Sequence, residues 1–176
     1  MRKIGAYEVA LAGVSTALAT LFLVVGTIAP VLLFTAYLVA CIVLMLPLSK
    51  GFYGGYLFAY IATSVLTLLF LGAGFLFELL PFLLFFGLHP LVNELQLKYR
   101  WNKWGAFFVK ALWFDGALYC AWRFAFDMTT AIALPHEAVI ALLLVLGTAL
   151  FYLYDYTTFL CRARVNALVA RLLRKK

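Results

Sequence analysis

Residues 30–55 read PVLLFTAYLVACIVLMLPLSKGFYGG, and this stretch decides the fold class. Residues 30–48 contain no charged side chain, and a helix needs about 20 mainly apolar residues to span the hydrocarbon core of a bilayer. Ser49, Lys50 and Gly51 then interrupt the apolar run before another begins at about residue 52. The pattern predicts two membrane-spanning helices joined by a tight turn.

Apolar runs of this kind occur along the whole chain, at about residues 5–28, 30–48, 52–71, 75–92, 104–126 and 138–160. The chain is 67% apolar and 12% charged, with a mean hydropathy of +1.06, and this composition excludes a separate water-soluble enzyme domain. We therefore predict an all-α membrane protein. A bundle of six transmembrane helices occupies residues 1–160, and a basic amphipathic cytoplasmic tail follows over residues 161–176.

Basic residues lie almost entirely at one end of the predicted bundle. Apart from Lys110 and Arg123, which lie within the fifth apolar run, every Lys and Arg falls near a terminus or in a loop at the same end. Short loops rich in Lys and Arg remain in the cytoplasm, so both termini are predicted to be cytoplasmic. This asymmetry accounts for the formal charge of +7, and we expect membrane lipids and not nucleic acid as partners.

The fifth apolar run is the least lipid-like of the six. Polar residues follow one another there at steps of four with an aromatic neighbour: Asp115, Tyr119, Arg123, Asp127 and Trp122. Ionisable side chains are costly in a bilayer unless they face a partner or a water-filled cavity. The stripe predicts a polar cavity open to the outside, and the alternative is internal pairing of Arg123 with a carboxylate on its own helix.

Other polar residues within the apolar runs have local explanations. Glu78 either faces the same outer cavity or reaches out to water, and Pro81 is expected to bend its helix because proline lacks a backbone donor. Lys110 lies off the polar stripe and is expected to extend to the cytoplasmic interface. His89 is expected to be structural, since no second ligand stands at metal-binding spacing. Asp155 is expected to pair with a basic residue near the inner end.

Small residues form a stripe on the first helix, at Ala6, Ala10, Gly13 and Ala17. Small residues three or four positions apart allow another helix backbone to approach closely. The stripe predicts packing either against a neighbour in the same bundle or against another subunit.

The sequence contains no motif of a catalytic or cofactor site. GxSxG, Walker A, HExxH and dinucleotide-binding patterns are absent. Cys41, Cys120 and Cys161 are too far apart in sequence to form a zinc or CxxC redox motif. We expect no enzymatic activity, no catalytic residue, no metal and no cofactor, so any energy source that the function needs must come from another subunit.

Several of these features together resemble a known family of membrane proteins. They are the small-residue stripe of the first helix, residues 46–55 (LPLSKGFYGG) and the polar stripe of the fifth helix. In this layout the chain resembles the substrate-binding S components of energy-coupling factor transporters. Residues 60–64 (YIATS) through 85–91 (FFGLHPL) also look like an unassigned group of S-component-like proteins from Gram-positive bacteria.

The resemblance implies a substrate-capture subunit in the inner membrane of a bacterial cell. Such a subunit binds a vitamin or other small polar micronutrient in an outward pocket and delivers it to a membrane coupling subunit with associated ATPases. The implied pocket residues are Glu78, Asp115, Tyr119, Trp122, Arg123 and Asp127. The small-residue stripe would dock the coupling subunit.

A non-transporting scaffold, similar to the small membrane subunit of the rod-shape cell-wall machinery, is the alternative. In that case the charges of the fifth helix would pair internally and there would be no dry, solute-sized outer cavity. A membrane-embedded enzyme acting on lipid is disfavoured because the sequence shows no nucleophile or metal-binding set.

Overall fold

The computed structural model describes residues 5–125 and 136–174, of which 92% are helical and none is in a strand. The helices are α1 (Ala6–Ile28), α2 (Leu33–Leu48), α3 (Tyr53–Leu71), α4 (Leu76–Pro81), α5 (His89–Lys98), α6 (Lys103–Cys120) and α7 (His136–Arg174). Short 3-10 turns at Pro30–Leu32 and Ala73–Phe75 precede α2 and α4. The predicted all-α class is confirmed for this part of the chain.

Five helical segments within the described ranges are long and apolar enough to cross a membrane: Ala6–Ile28, Pro30–Leu48, Tyr53–Leu71, Ala73–Lys98 and Ile140–Leu172. The predicted span at residues 104–126 corresponds to α6 and a π-helical turn at Ala121–Ala125. It is not among these five, because α6 carries Lys103, Lys110 and Asp115.

The fourth span is a broken helix. α4 ends at Pro81, a π-helical turn covers Phe82–Phe86, and α5 begins at His89. Pro81 was expected to bend this helix, and the structure changes from α-helical to π-helical hydrogen bonding directly after it. The apolar run predicted as this span ends near residue 92, whereas the helix continues to Lys98 with polar side chains such as Asn93 buried between helices.

Tyrosine hydroxyls from neighbouring helices satisfy backbone carbonyls at this break. Tyr56 of α3 donates a hydrogen bond to the Gly87 carbonyl over 2.5 Å, and Tyr60 donates to the Leu83 carbonyl over 2.8 Å. Tyr37 of α2 donates to the Glu78 carbonyl. In the hydrocarbon region no water can satisfy carbonyls that a helix break leaves open, so these hydroxyls permit the interruption.

Aromatic side chains form the centre of the bundle. Phe85, in the π-helical turn of the fourth span, is fully buried. Its ring centroid lies 4.9 Å from those of Trp113 and Phe114 in α6, and 5.0 Å from that of His89. Phe151 of α7 joins the same cluster. The break therefore places a large aromatic residue where α6 and α7 meet the fourth span.

α7 is a single helix of 39 residues, so the predicted sixth span and the predicted tail are continuous. Val165 and Val169 are buried and pack with Cys41 and Met45 of α2. Leu168, between these two valines, is 53% exposed. The C-terminal part of α7 is therefore packed against α2 through Val165 and Val169.

Candidate functional sites

Asp115, the first residue of the predicted polar stripe, lies between α6 and α7. Asp115 is buried and accepts a hydrogen bond from the Thr148 hydroxyl over 3.1 Å. A Cβ atom added at Gly147 would lie 2.3 Å from Asp115 Oδ1, so this carboxylate fits against the backbone of α7. Asp115 thus packs into the α6–α7 interface, a position that the spacing within its own helix could not reveal.

The other predicted pocket residues have separate surroundings. Tyr119 and Trp122 pack together with ring centroids 5.7 Å apart, and Arg123 is exposed. Glu78 is half-buried on α4. Asp127 lies outside the described residues. Among the five main cavities of the described chain, one is lined by Asp115 and Tyr119, and none by the other described members of the set.

An apolar cavity of about 220 Å³, which we call the break cavity, lies beside the interruption of the fourth span. Its walls come from α2, the broken span, α6 and the following π-helical turn, and its lining includes Leu33, Phe34, Tyr37, Pro81, Phe85, Phe86, Phe114, Ala117 and Ala121. The Tyr37 hydroxyl, its one polar side-chain group, is already bonded to the Glu78 carbonyl. The cavity suits an apolar or aromatic molecule.

A buried cluster of polar side chains connects α5, α6 and α7. Lys110 Nζ lies 2.7 Å and 2.9 Å from the two carboxylate oxygens of Asp155 and donates to Asn93 Oδ1 over 2.8 Å. The Asn93 amide donates to Asp155 Oδ1, and His89 Nε2 lies 3.0 Å from the same oxygen. Lys110 is 2% exposed.

The contacts in this cluster test two predictions made from the sequence, one for Lys110 and one for Asp155. The prediction that Lys110 extends to the interface is wrong, because Lys110 is buried and forms an ion pair with the Asp155 carboxylate inside the bundle. The prediction that Asp155 pairs with a basic residue is confirmed. A second ion pair joins α5 and α7, since the Arg162 guanidinium donates to both carboxylate oxygens of Glu94.

The small-residue stripe of α1 faces away from the other helices that the structure describes. Ala6, Ala10, Gly13 and Ala17 are all exposed, and a Cβ atom added at Gly13 would have no neighbour within 4 Å. α1 instead packs against α2 and α3 through residues such as Ala12, Ala19 and Leu23. Within the described chain, the stripe does not serve internal packing.

Comparisons of the chain with protein-family models, curated proteins and solved structures gave no match. The fold and the apolar helices define the class, a helical membrane-embedded protein. The described part of the chain combines a broken fourth span, a cavity beside the break and a buried Lys110–Asp155 pair.

Proposed function

We propose that this protein is a substrate-capture subunit that binds a small molecule in the break cavity and delivers it through a partner complex, as in energy-coupling-factor-type import. The break cavity is the observation that carries the proposal. Interrupted membrane helices commonly border solute sites in transporters, and π-helical turns occur frequently at functional sites. Here two π-helical turns, Phe82–Phe86 and Ala121–Ala125, contribute to the wall of one cavity.

The chemistry of the break cavity changes the class of ligand expected from the sequence. The resemblance implied a polar micronutrient in a pocket that includes Arg123 and several carboxylates. An aromatic wall without an open charged group instead favours a compact, mostly apolar ring compound. Cavities of about 150 Å³ bind benzene, so 220 Å³ suits one or two fused rings.

The proposal includes a six-span topology with both termini in the cytoplasm of a bacterial cell. α6 would be the fifth span, because its three charged side chains include Lys110 and Asp115, which are buried against α7 and need not meet lipid. Charged residues within a membrane segment ordinarily face the bundle interior. The concentration of Lys and Arg at one end supports the orientation.

Docking of a membrane coupling subunit on the α1 stripe completes this proposal. The exposed small residues would let a partner helix approach the α1 backbone closely. Energy for transport would come from ATPases associated with that subunit.

The test is the thermal stability of the detergent-purified protein against a panel of small aromatic compounds, vitamins, nucleobases and amino acids. A ligand that binds only the folded state raises the melting temperature. Ala117→Leu should fill the break cavity and abolish the shift, whereas Ala149→Leu on the exposed face of α7 should retain it. No shift across the panel contradicts the proposal, and a shift lost only in Arg123→Ala would return the site to the polar stripe.

A non-transporting scaffold is the second candidate, and the Lys110–Asp155 pair favours it. That function expects the charges of the fifth predicted span to pair inside the bundle, as Lys110 does. If the protein is a scaffold, Ala117→Leu should leave its function in the cell unchanged. If it captures a solute in the break cavity, the same substitution should abolish uptake of that solute.

A further inference from the structure

A second, larger cavity lies where α5 ends and α6 begins, at the end of the bundle that carries the basic residues. We call it the basic-end cavity. Its volume is about 690 Å³, and α7 closes one side. Five of its ten lining residues are aromatic: Trp101, Trp104, Phe107, Tyr152 and Phe159. A cavity with this lining offers a long apolar surface to a ligand.

The charges around the basic-end cavity are positive. Arg100 and Lys103 line it and are both exposed. Asp155 also lines it, but Lys110 holds this carboxylate at 2.7 Å from inside the bundle and balances its charge. Two cations therefore remain to attract an anion at the rim.

The backbone holds Arg100 at this rim against its conformational preference. α5 ends in a Schellman motif, in which the Trp101 amide donates to the Gln96 carbonyl and the Arg100 amide to that of Leu97. Arg100 occupies the left-handed position of this motif with φ of +52°, where glycine is the usual residue. A cation in a position that disfavours side chains points to a role for its charge.

The next residues fix the remainder of the rim. The Asn102 side chain caps α6 by accepting hydrogen bonds from the amides of Trp104 and Gly105. Trp101 is 47% exposed and Trp104 74% exposed. Exposed tryptophans concentrate at the level of lipid headgroups, which places the two cations close to the phosphates of surrounding lipid.

We propose that the basic-end cavity binds an anionic phospholipid of the membrane, with the phosphate between Arg100 and Lys103 and an acyl chain along the aromatic wall. The two cations favour a negatively charged headgroup, and the apolar wall favours a ligand with an acyl chain. This site is separate from the break cavity and does not depend on solute capture.

The test compares the melting temperature of the detergent-purified protein with three probes: dihexanoyl phosphatidylglycerol, dihexanoyl phosphatidylcholine and glycerol 1-phosphate. We expect the anionic lipid to raise the melting temperature by several degrees, the zwitterionic lipid by less than half as much, and the chainless phosphate not at all. Equal shifts with both lipids, or no shift with either, would overturn the proposal. A full shift with glycerol 1-phosphate would also overturn it, by assigning the cavity to soluble phosphates.

Variants separate binding from folding. The double variant Arg100→Gly/Lys103→Gln should lose the shift with anionic lipid while its ligand-free melting temperature does not fall, because glycine suits the left-handed position. The matched control Arg164→Gln/Arg171→Gln removes two exposed cations of α7 and should retain the shift. Retention of the full shift in Arg100→Gly/Lys103→Gln contradicts the proposal.

Discussion

Single hydroxyl groups make the interruption of the fourth span possible. The π-helical turn redirects the Gly87 amide to the Phe82 carbonyl, and the Leu83 carbonyl is then available to Tyr60. The following turn similarly leaves the Gly87 carbonyl to Tyr56, which is fully buried. Each tyrosine therefore replaces a bond that an unbroken helix would have made within itself.

Tyr56→Phe should lower the stability of the folded protein by about 1–3 kcal/mol, because the substitution leaves a buried carbonyl without a donor. The measurement is thermal unfolding in detergent. Tyr156→Phe is the matched control, since Tyr156 is 59% exposed and its loss of a hydroxyl should change the melting temperature little. Equal melting temperatures for the two variants would contradict this role of Tyr56.

Between elements, α6 and α7 are joined by polar contacts as well as by apolar packing. Lys110 binds Asp155, and Asp115 accepts a hydrogen bond from Thr148. Asp115 reaches the helix backbone because Gly147 has no side chain in its path. These contacts give α6 a buried location for charges that lipid would not accept.

Lys110→Met should destabilise the protein by about 3 kcal/mol or more, because it leaves the Asp155 carboxylate buried without its cation. The double variant Lys110→Met/Asp155→Leu should be more stable than Lys110→Met alone, since both charges are removed together. Thermal unfolding of Lys110→Met, Asp155→Leu and the double variant gives the coupling energy of the pair. If the losses of stability in the two single variants add up to the loss in the double variant, the pair is not coupled. Arg171→Met removes an exposed cation and serves as the control.

The sequence predicted elements better than it predicted contacts between them. Long apolar runs identified the first three candidate spans, and Pro81 indicated a distortion of the fourth, because both signals lie within one segment. The extension of α5 was missed since Asn93 and Glu94 look like loop residues until Lys110 and Arg162 are placed beside them. The break cavity was missed because it arises from the meeting of two distorted helices.

For the whole molecule, the number of spans decides where the termini lie. Six spans place both termini on one side, and exclusion of α6 from the membrane would place them on opposite sides. α1 begins at Ala6 and α7 continues to Arg174, so described residues lie near both ends of the chain. The question can therefore be tested at exposed positions.

In a background with the native cysteines replaced by alanine, Gly74→Cys should react with a membrane-impermeant maleimide added outside intact cells. Gly5→Cys and Arg171→Cys should react only after permeabilisation. A Cβ atom at Gly74 or Gly5 meets no neighbour within 4 Å, and Arg171 is exposed, so each cysteine is compatible with the fold. Labelling of Gly5→Cys and Arg171→Cys on opposite sides would contradict six spans.

The unbroken course of α7 has a mechanical consequence. Its 39 residues extend about 58 Å at 1.5 Å per residue, roughly twice the hydrocarbon thickness of a bilayer. Asp115 contacts it near Gly147, Lys110 holds it at Asp155, and α2 contacts it at Val169. The contacts at Gly147 and Val169 are 22 residues apart, about 33 Å along the helix, so α7 connects the region beside Asp115 to the basic end as one continuous element.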